Sequence, residues 1–240
     1  MFEPLDPALV LGAYSVGVFP MADSRDAASV YWVEPRRRAI MPLDRFHLSR
    51  SLRKMVVADR FRVTADQAFG EVVRLCAQSA DDRPETWINR SIEQCFQRLH
   101  DMGHAHSVEC WAEDRLVGGL YGLAIGRAFF GESMVSRVAN ASKVAIATLV
   151  ARLRVGGYTL LDCQFMTRHL ASLGATEISR RDYMALLAAA IGSSAGSSSE
   201  VSADGDFGAL DRLAAGDGDA AGAAGALPGK LIAQLLVQTS

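Results

Sequence analysis

Two acidic residues stand where an acid is costly to place. Asp162 closes the apolar run Tyr158-Thr-Leu-Leu, and Glu132 follows Ala128-Phe-Phe-Gly. A carboxylate at the end of such a run must be hydrogen-bonded or paired with a cation. Asp162 and Gln164 are two positions apart, a spacing that sends both side chains from one face of a strand and Cys163 from the other. An acid and an amide so placed suit proton transfer and the holding of a polar group; the competing reading is a carboxylate that caps a neighbouring loop. For Glu132 the cation would arrive from outside, or be Arg137 or Lys143 in an internal ion pair. If Glu132 faces a site, alternation puts Phe130 and Met134 on its side and Phe129 opposite, unless the strand is bulged.

Other residues invite chemistry with less support. His100, His104 and His106 have ligand-like spacing, but His100 ends a helix, the other two lie past Gly103, and no carboxylate or Cys completes a set. No metal is expected there; hydrogen bonds that lock a helix-to-strand joint account for them better. Cys163 reads as core rather than nucleophile. Arg50, Arg53 and Lys54 fall at i, i+3 and i+4, so they form one basic stripe on a helix, fit for phosphates or for plain solvation.

The elements that must position these residues mix both periods. Pro7–Tyr14 reads as a helix that stops at Gly17, Tyr31–Val33 and Arg38–Met41 as short strands, and 48–57, 65–77 and 90–102 as helices. His106–Trp111, Leu116–Ala124 and Ala128–Met134 then form a three-stranded antiparallel meander. A helix over 143–154, with Asn140 and Ser142 as caps and Gly156-Gly157 as terminator, a strand over 158–165 and a helix over 180–190 complete the body. The expected fold is α+β: a small N-terminal α/β unit over 1–38 and, over 39–191, a GNAT-like acyltransferase domain with a mixed, mainly antiparallel sheet. Meander, helix, strand is the order of the GNAT core. Users of coenzyme A in that fold hold its pyrophosphate on a glycine-rich turn, and Ser136-Arg-Val-Ala-Asn-Ala-Ser contains no glycine.

The 240 residues carry a net charge of −2 and four scattered cysteines at 76, 95, 110 and 163. Neither a disulfide framework nor a zinc knuckle is suggested, and a reducing cytoplasm is the expected location. No uninterrupted apolar run approaches a membrane span. The small net charge conceals a partition: Arg36–Arg62 holds nine bases against two acids, whereas 192–240 holds six acids against two bases. That last stretch is rich in Gly, Ala and Ser and is expected to be a flexible tail, with a short helix after Pro228-Gly229.

Ten segments, in order, carry a resemblance: Gly17-Val-Phe-Pro, Trp32-Val-Glu-Pro-Arg-Arg-Arg-Ala, Phe46-His-Leu-Ser-Arg-Ser-Leu-Arg-Lys, Thr86-Trp-Ile-Asn, Gly103-His-Ala-His-Ser-Val-Glu-Cys-Trp, Leu116-Val-Gly-Gly-Leu-Tyr-Gly, Phe130-Gly-Glu-Ser-Met, Ala141-Ser-Lys, Leu161-Asp-Cys-Gln and Ser172-Leu-Gly-Ala. From about Leu5 to Ile191 the chain resembles the leucyl/phenylalanyl-tRNA:protein transferase family. The resemblance implies an enzyme that moves Leu or Phe, with Met a further candidate donor, from aminoacyl-tRNA to the α-amine of proteins beginning with Arg or Lys, marking them for degradation. It implies neither a cofactor nor a metal.

The resemblance also implies roles. Asp162 accepts or relays the proton of the attacking amine, Gln164 holds the amine or completes the relay, and Glu132 joins Asp162 in an acidic site for cationic acceptors. An apolar donor pocket would draw on Phe129 or Phe130, Met134, Leu120 and Leu149, with Phe129 and Met134 singled out despite the alternation. Tyr14, Trp32 and Trp87 are the candidates for stacking a terminal adenosine; Met21 stands where many family members have Trp. Arg50, Arg53 and Lys54 would meet acceptor-stem phosphates. Two alternatives remain, a coenzyme-A-dependent N-acyltransferase of the GNAT type and a non-catalytic tRNA-binding module.

Overall fold

The computed structural model describes residues 4–78, 86–192, 204–216 and 225–237. Helix α1 (Pro7–Ser15) begins on a proline behind the cap Asp6 and gives way at Gly17, whose φ of +80° no β-carbon tolerates well. Strands β1 (Phe19–Met21) and β2 (Tyr31–Val33) pair as a separate antiparallel ribbon. Strand β3 (Arg37–Ile40) already belongs to the large sheet, so it straddles the boundary expected at residue 38. Next come α2 (Arg50–Val57), capped by Ser49, then β4 (Arg62–Ala65), α3 (Phe69–Cys76) and α4 (Arg90–Asp101), capped by Asn89.

The meander is β5 (Ala105–Ala112), β6 (Arg115–Ile125) and β7 (Ala128–Ser136). It is followed by α5 (Ala141–Val155), β8 (Leu160–Asp162), α6 (Arg168–Ser172), β9 (Thr176–Ser179) and α7 (Arg180–Ile191). The seven strands of the large sheet run β4-β5-β6-β7-β8-β3-β9, and β7 with β8 is the one parallel pairing among the described residues. Strands β4 and β9, four residues each, were not expected from the sequence.

The sheet separates two apolar layers. One face packs on α5 and α2, with Phe129, Leu120, Ile146 and Leu149 in its core. The other packs on α1, α3, α4 and α7, with Tyr14, Phe130, Tyr121 and Tyr183. Gly118 in β6 lies against Ala141 at the start of α5, where a side chain would collide; a glycine there lets α5 approach the strand.

The stretch expected to be a flexible tail is packed wherever it is described. Helix α8 (Ala209–Ala215) follows Phe207, whose ring stacks on His106 and Phe129, and buried Arg152 binds the Phe207 carbonyl at 2.7 Å and the Asp211 carboxylate at 2.6 and 2.7 Å. Helix α9 (Gly229–Val237), the short helix expected after Pro228, buries Ile232, Ala233 and Leu236 beside α2 and α5. Composition averaged over the stretch hid these few large apolar residues, and it is they that dock. No helix among the described residues is long and apolar enough to cross a membrane.

Candidate active site

The site opens where two strands part. Strands β7 and β8 are paired only at Ala128–Leu160, Phe129–Leu161 and Phe130–Asp162. Strand β7 then runs on to Ser136, whereas β8 stops at Asp162 and the chain turns through Gln164, at φ +53°. Between them lies a cavity of about 620 Å³. Its apolar wall is made by Leu120 and Met134 of the meander, Ile146 and Leu149 of α5, and Leu161 and Leu170; its polar lining includes Glu132 and Gln164, and also Gln78, Ser133, Arg137, Ser142 and His169.

A bulge decides which β7 side chains face which layer. Tyr121 is paired with Ser133 and Gly122 with Gly131, which leaves Glu132 as an extra residue without a partner on β6. The alternation therefore resets at Glu132. Phe129 and Met134 belong to the α5 layer and Phe130 and Val135 to the opposite one. This removes the conflict between Phe129 and Met134 that strict alternation created. Met134, Leu120 and Leu149 line the cavity, whereas Phe129 and Phe130 are fully buried and are not among the residues that line it.

Asp162 and Gln164 meet by another route than period two. The strand ends at Asp162, and Asp162 Oδ1 accepts a hydrogen bond from the Gln164 amide at 2.9 Å, an Asx turn rather than a strand register. Strand β3 clamps this turn: the Met41 amide donates to Leu161 O, the Cys163 amide to Ala39 O, and the Ala39 amide to Gln164 O, at 2.9–3.0 Å. As a result Cys163 and Gln164 line the cavity and Asp162 does not. Burial, then the charge of Asp162, pushes the Cys163 thiol far up, so it stays protonated.

Asp162 is wholly buried and saturated. Arg38 Nε lies 2.9 and 3.0 Å from its two oxygens, Arg38 Nη2 lies 2.6 Å from Oδ2, and the Tyr183 hydroxyl donates to Oδ2 at 2.9 Å. The guanidinium is itself 1% exposed, sits between the rings of Phe19 and Tyr183, and donates through Nη1 to Gly17 O at 2.9 Å. Burial alone would pull the Arg38 proton equilibrium down, but the bond and charge of Asp162 outweigh it and hold the cation.

Glu132 has no such cation. Gln164 Nε2 donates to its Oε1 at 3.0 Å, and among the described residues no Lys or Arg is ion-paired with it. Arg137 donates instead to Gln78 Oε1 at 2.8 Å. Burial, opposed by Tyr14 and reinforced by the charge of Asp162, pushes the Glu132 carboxyl up to about 8. The Tyr14 hydroxyl is buried with no well-aligned hydrogen-bond partner, and burial, then Glu132, raises it well above the ordinary phenol range.

The remaining expected residues lie elsewhere. Tyr14 is behind Glu132, its ring edge-on to Phe130 at 5.1 Å, too deep to stack on a base. Met21 and Trp32 are on the β1–β2 ribbon, and the Trp87 carbonyl accepts from the Ala22 amide at 3.1 Å, which ties Trp87 to that ribbon. None of these three lines the cavity. Arg50, Arg53 and Lys54 are exposed on α2, whose buried Leu52 and Val56 face inward. His100 Nδ1 bonds Ala105 O at 2.8 Å and His106 Nδ1 bonds Asp66 at 2.7 Å, at the joint between helix and strand.

Sequence reading missed Arg38 and Tyr183, and also Phe165, which stands exposed at the cavity rim with its ring edge-on to Phe19. Arg38 was visible as the third of three successive arginines and the first residue of an expected strand, but not as an inward-facing one. Its signal would have been a strand period laid over that triplet, with one arginine turned inward.

Comparison with known proteins gives one consistent result. The family model described as leucyl/phenylalanyl-tRNA protein transferase matches residues 40–188, and the model of that transferase's N-terminal domain matches residues 3–36. The leucyl/phenylalanyl-tRNA–protein transferase of Rhizorhabdus wittichii is 59% identical over 99% of this chain and 100% of its own length. Those of Zymomonas mobilis and Novosphingobium aromaticivorans are 59% and 47% identical, over 80% and 98% of this chain and 72% and 97% of theirs. Among solved structures, L-PGS from Bacillus licheniformis is a remote likeness at 14% identity and a TM-score of 0.39, over 66% of this chain and 53% of that one.

Proposed function

The chain belongs to the leucyl/phenylalanyl-tRNA protein transferase family, and from that premise we propose how its cavity carries out aminoacyl transfer from tRNA to protein N-termini. The donor Leu or Phe side chain enters the apolar end, against Leu120, Met134, Ile146 and Leu149. Met134 suits a pocket that must fit two differently shaped donors, because a thioether chain repacks easily. The aminoacyl ester then lies at the polar end, beside Gln164 and Glu132, where the acceptor amine arrives.

The observation that carries this reading is the presence, in one cavity, of apolar side chains and of a buried carboxylate with which no Lys or Arg among the described residues is ion-paired. Of the two buried acids at this end, only Asp162 is ion-paired with a buried guanidinium, that of Arg38. The missing positive charge is supplied by the acceptor, either its α-ammonium or a first side chain of Arg or Lys. An activated ester and an amine that is partly neutral at cellular pH require little beyond positioning and proton removal. The exposed stripe Arg50, Arg53 and Lys54 takes the acceptor-stem phosphates, and the natural setting is the cytoplasm, where charged tRNA is found.

Incubation with Leu-tRNA or Phe-tRNA and peptides that differ only in their first residue tests this. Transfer to the Arg- and Lys-initial peptides is expected, with little to an Asp-initial one. Absence of transfer from competent donors would sink the functional reading; equal transfer to all three peptides would sink the cationic acceptor site alone.

A further inference from the structure

We propose that Glu132, and not Asp162, takes the proton of the attacking amine, while Asp162 serves as the fixed counter-ion that holds Arg38 and the Gln164 turn. The inference rests on the transfer reading above and assigns its proton.

Access separates the two acids first. Glu132 lines the cavity, whereas Asp162 is 0% exposed and does not. Lone pairs separate them next. Both Asp162 oxygens already accept from Arg38, and in addition one accepts from the Gln164 amide and the other from Tyr183. To receive a proton Asp162 would have to break a buried ion pair, leaving Arg38 uncompensated in the protein interior. Glu132 accepts a hydrogen bond at Oε1 from Gln164 and has the Tyr14 hydroxyl beside it, less well aligned, but among the described residues no Lys or Arg is ion-paired with it. The bulge at Glu132 is what aims this carboxylate into the gap between β7 and β8.

The step balances without another reagent. The neutral amine attacks the ester carbonyl carbon and the C–N bond forms. The proton of the resulting ammonium passes to the Glu132 carboxylate, the C–O bond to the terminal ribose breaks, and the departing ribose oxygen takes that proton from Glu132 to become a hydroxyl. A carboxyl raised to about 8 is matched to an amine of about the same basicity, the condition under which proton exchange is easy in both directions. The groups that face Glu132 are Tyr14 from α1, Arg38 from β3, Asp162 from β8, Gln164 beyond it and Tyr183 from α7. Tyr14 is the positioning residue among them, since its hydroxyl favours the ionised carboxylate.

The pH dependence of kcat/KM for an Arg-initial peptide, with Phe-tRNA as donor, decides between the acids. Two deprotonations, of amine and of Glu132, should make the wild-type value fall about a hundredfold per pH unit below about pH 7. Glu132→Gln should fall only about tenfold per unit, with a value at pH 8 at least about a hundredfold below wild type and unchanged tRNA affinity. Asp162→Asn should keep the steeper slope. Tyr14→Phe provides a second reading should the Glu132→Gln variant fold poorly: its Glu132 limb should move to higher pH.

A steep slope in Glu132→Gln, or a shallow one confined to Asp162→Asn, would overturn the assignment. So would an unmoved limb in Tyr14→Phe where the Glu132→Gln variant does not fold. A wild-type protein that transfers nothing would defeat the functional reading instead, so the two failures are told apart.

Discussion

Asp162 and Glu132 are acids of nearly the same size on either side of one gap between strands, both buried, and treated in opposite ways. The β8–β3 side surrounds Asp162 with a guanidinium, a phenol and a backbone amide. The β7 side gives Glu132 one amide and a phenol with no well-aligned partner. A charge that the protein satisfies in full is held for structure, because moving it breaks other bonds. A charge left under-compensated at a cavity wall is poised to change its protonation or to accept a partner from outside, and that is where chemistry is expected.

The comparison is broken most severely by removing the cation that makes the sides unequal. Arg38→Met should destabilise the protein by about 3–5 kcal/mol in denaturant unfolding at neutral pH, since it leaves Asp162 buried and unpaired. The double variant Arg38→Met/Asp162→Asn should recover much of that loss. If the single variant is as stable as wild type, Asp162 does not depend on its cation and the contrast is false.

Glu132→Gln tests the other side and should act in the opposite direction. The folded-state equilibrium of Glu132 lies at about 8, above the 4.5 of the unfolded chain. Between those values the unfolded state releases a proton that the folded state keeps, so wild-type stability falls as pH rises through this window. The glutamine variant lacks that loss. It should therefore match wild type near pH 4.5 and exceed it by a few kcal/mol above pH 8, visible as a Tm difference that grows with pH. A variant less stable than wild type at high pH would show that Glu132 is structurally satisfied after all.

This contrast was only half legible in the sequence. The meander, α5 and the strand that follows it are legible in apolar periods and glycine punctuation, and Glu132, Asp162 and Gln164 stood out because polar residues end apolar runs. Their mutual geometry did not follow. Period two placed Asp162 and Gln164 side by side on a strand; the strand stops at Asp162, and an Asx turn brings Gln164 round to Glu132. A one-residue bulge at Glu132 depends on pairing between strands, which no single strand encodes, so the order Phe129, Glu132, Met134 could not be sorted into faces. Arg38 was hidden for a similar reason, because Arg36, Arg37 and Arg38 are alike in type and only the pairing of β3 with β8 and β9 turns the third inward.

A smaller change on the Asp162 side isolates one bond of its shell. Tyr183→Phe removes the hydroxyl that donates at 2.9 Å and keeps the ring against Arg38. A hydrogen bond to a charged group contributes about 1.5–3 kcal/mol, and the lower figure is expected because Arg38 still compensates the carboxylate. Denaturant midpoints at constant slope would measure it. The slope of kcat/KM against pH should not change, since the Tyr183 hydroxyl is bonded to Asp162 and not to Glu132.

The smallest effect on stability is expected far from the gap, and it sharpens the contrast by showing charge that neither side uses. Arg50 and Arg53 are exposed on α2 and, among the described residues, take part in no ion pair. Arg50→Glu/Arg53→Glu should therefore change folding stability by less than about 0.5 kcal/mol. Binding should respond differently, because each phosphate that is no longer neutralised keeps its counterions and lowers the slope of log affinity against log salt by about one. Measured with the acceptor stem of a charged tRNA, the slope should flatten by about two while the pH dependence of transfer stays as in the wild type. An unaltered salt slope would make α2 a solvated face and leave the path of the tRNA toward the cavity to be traced elsewhere on the protein.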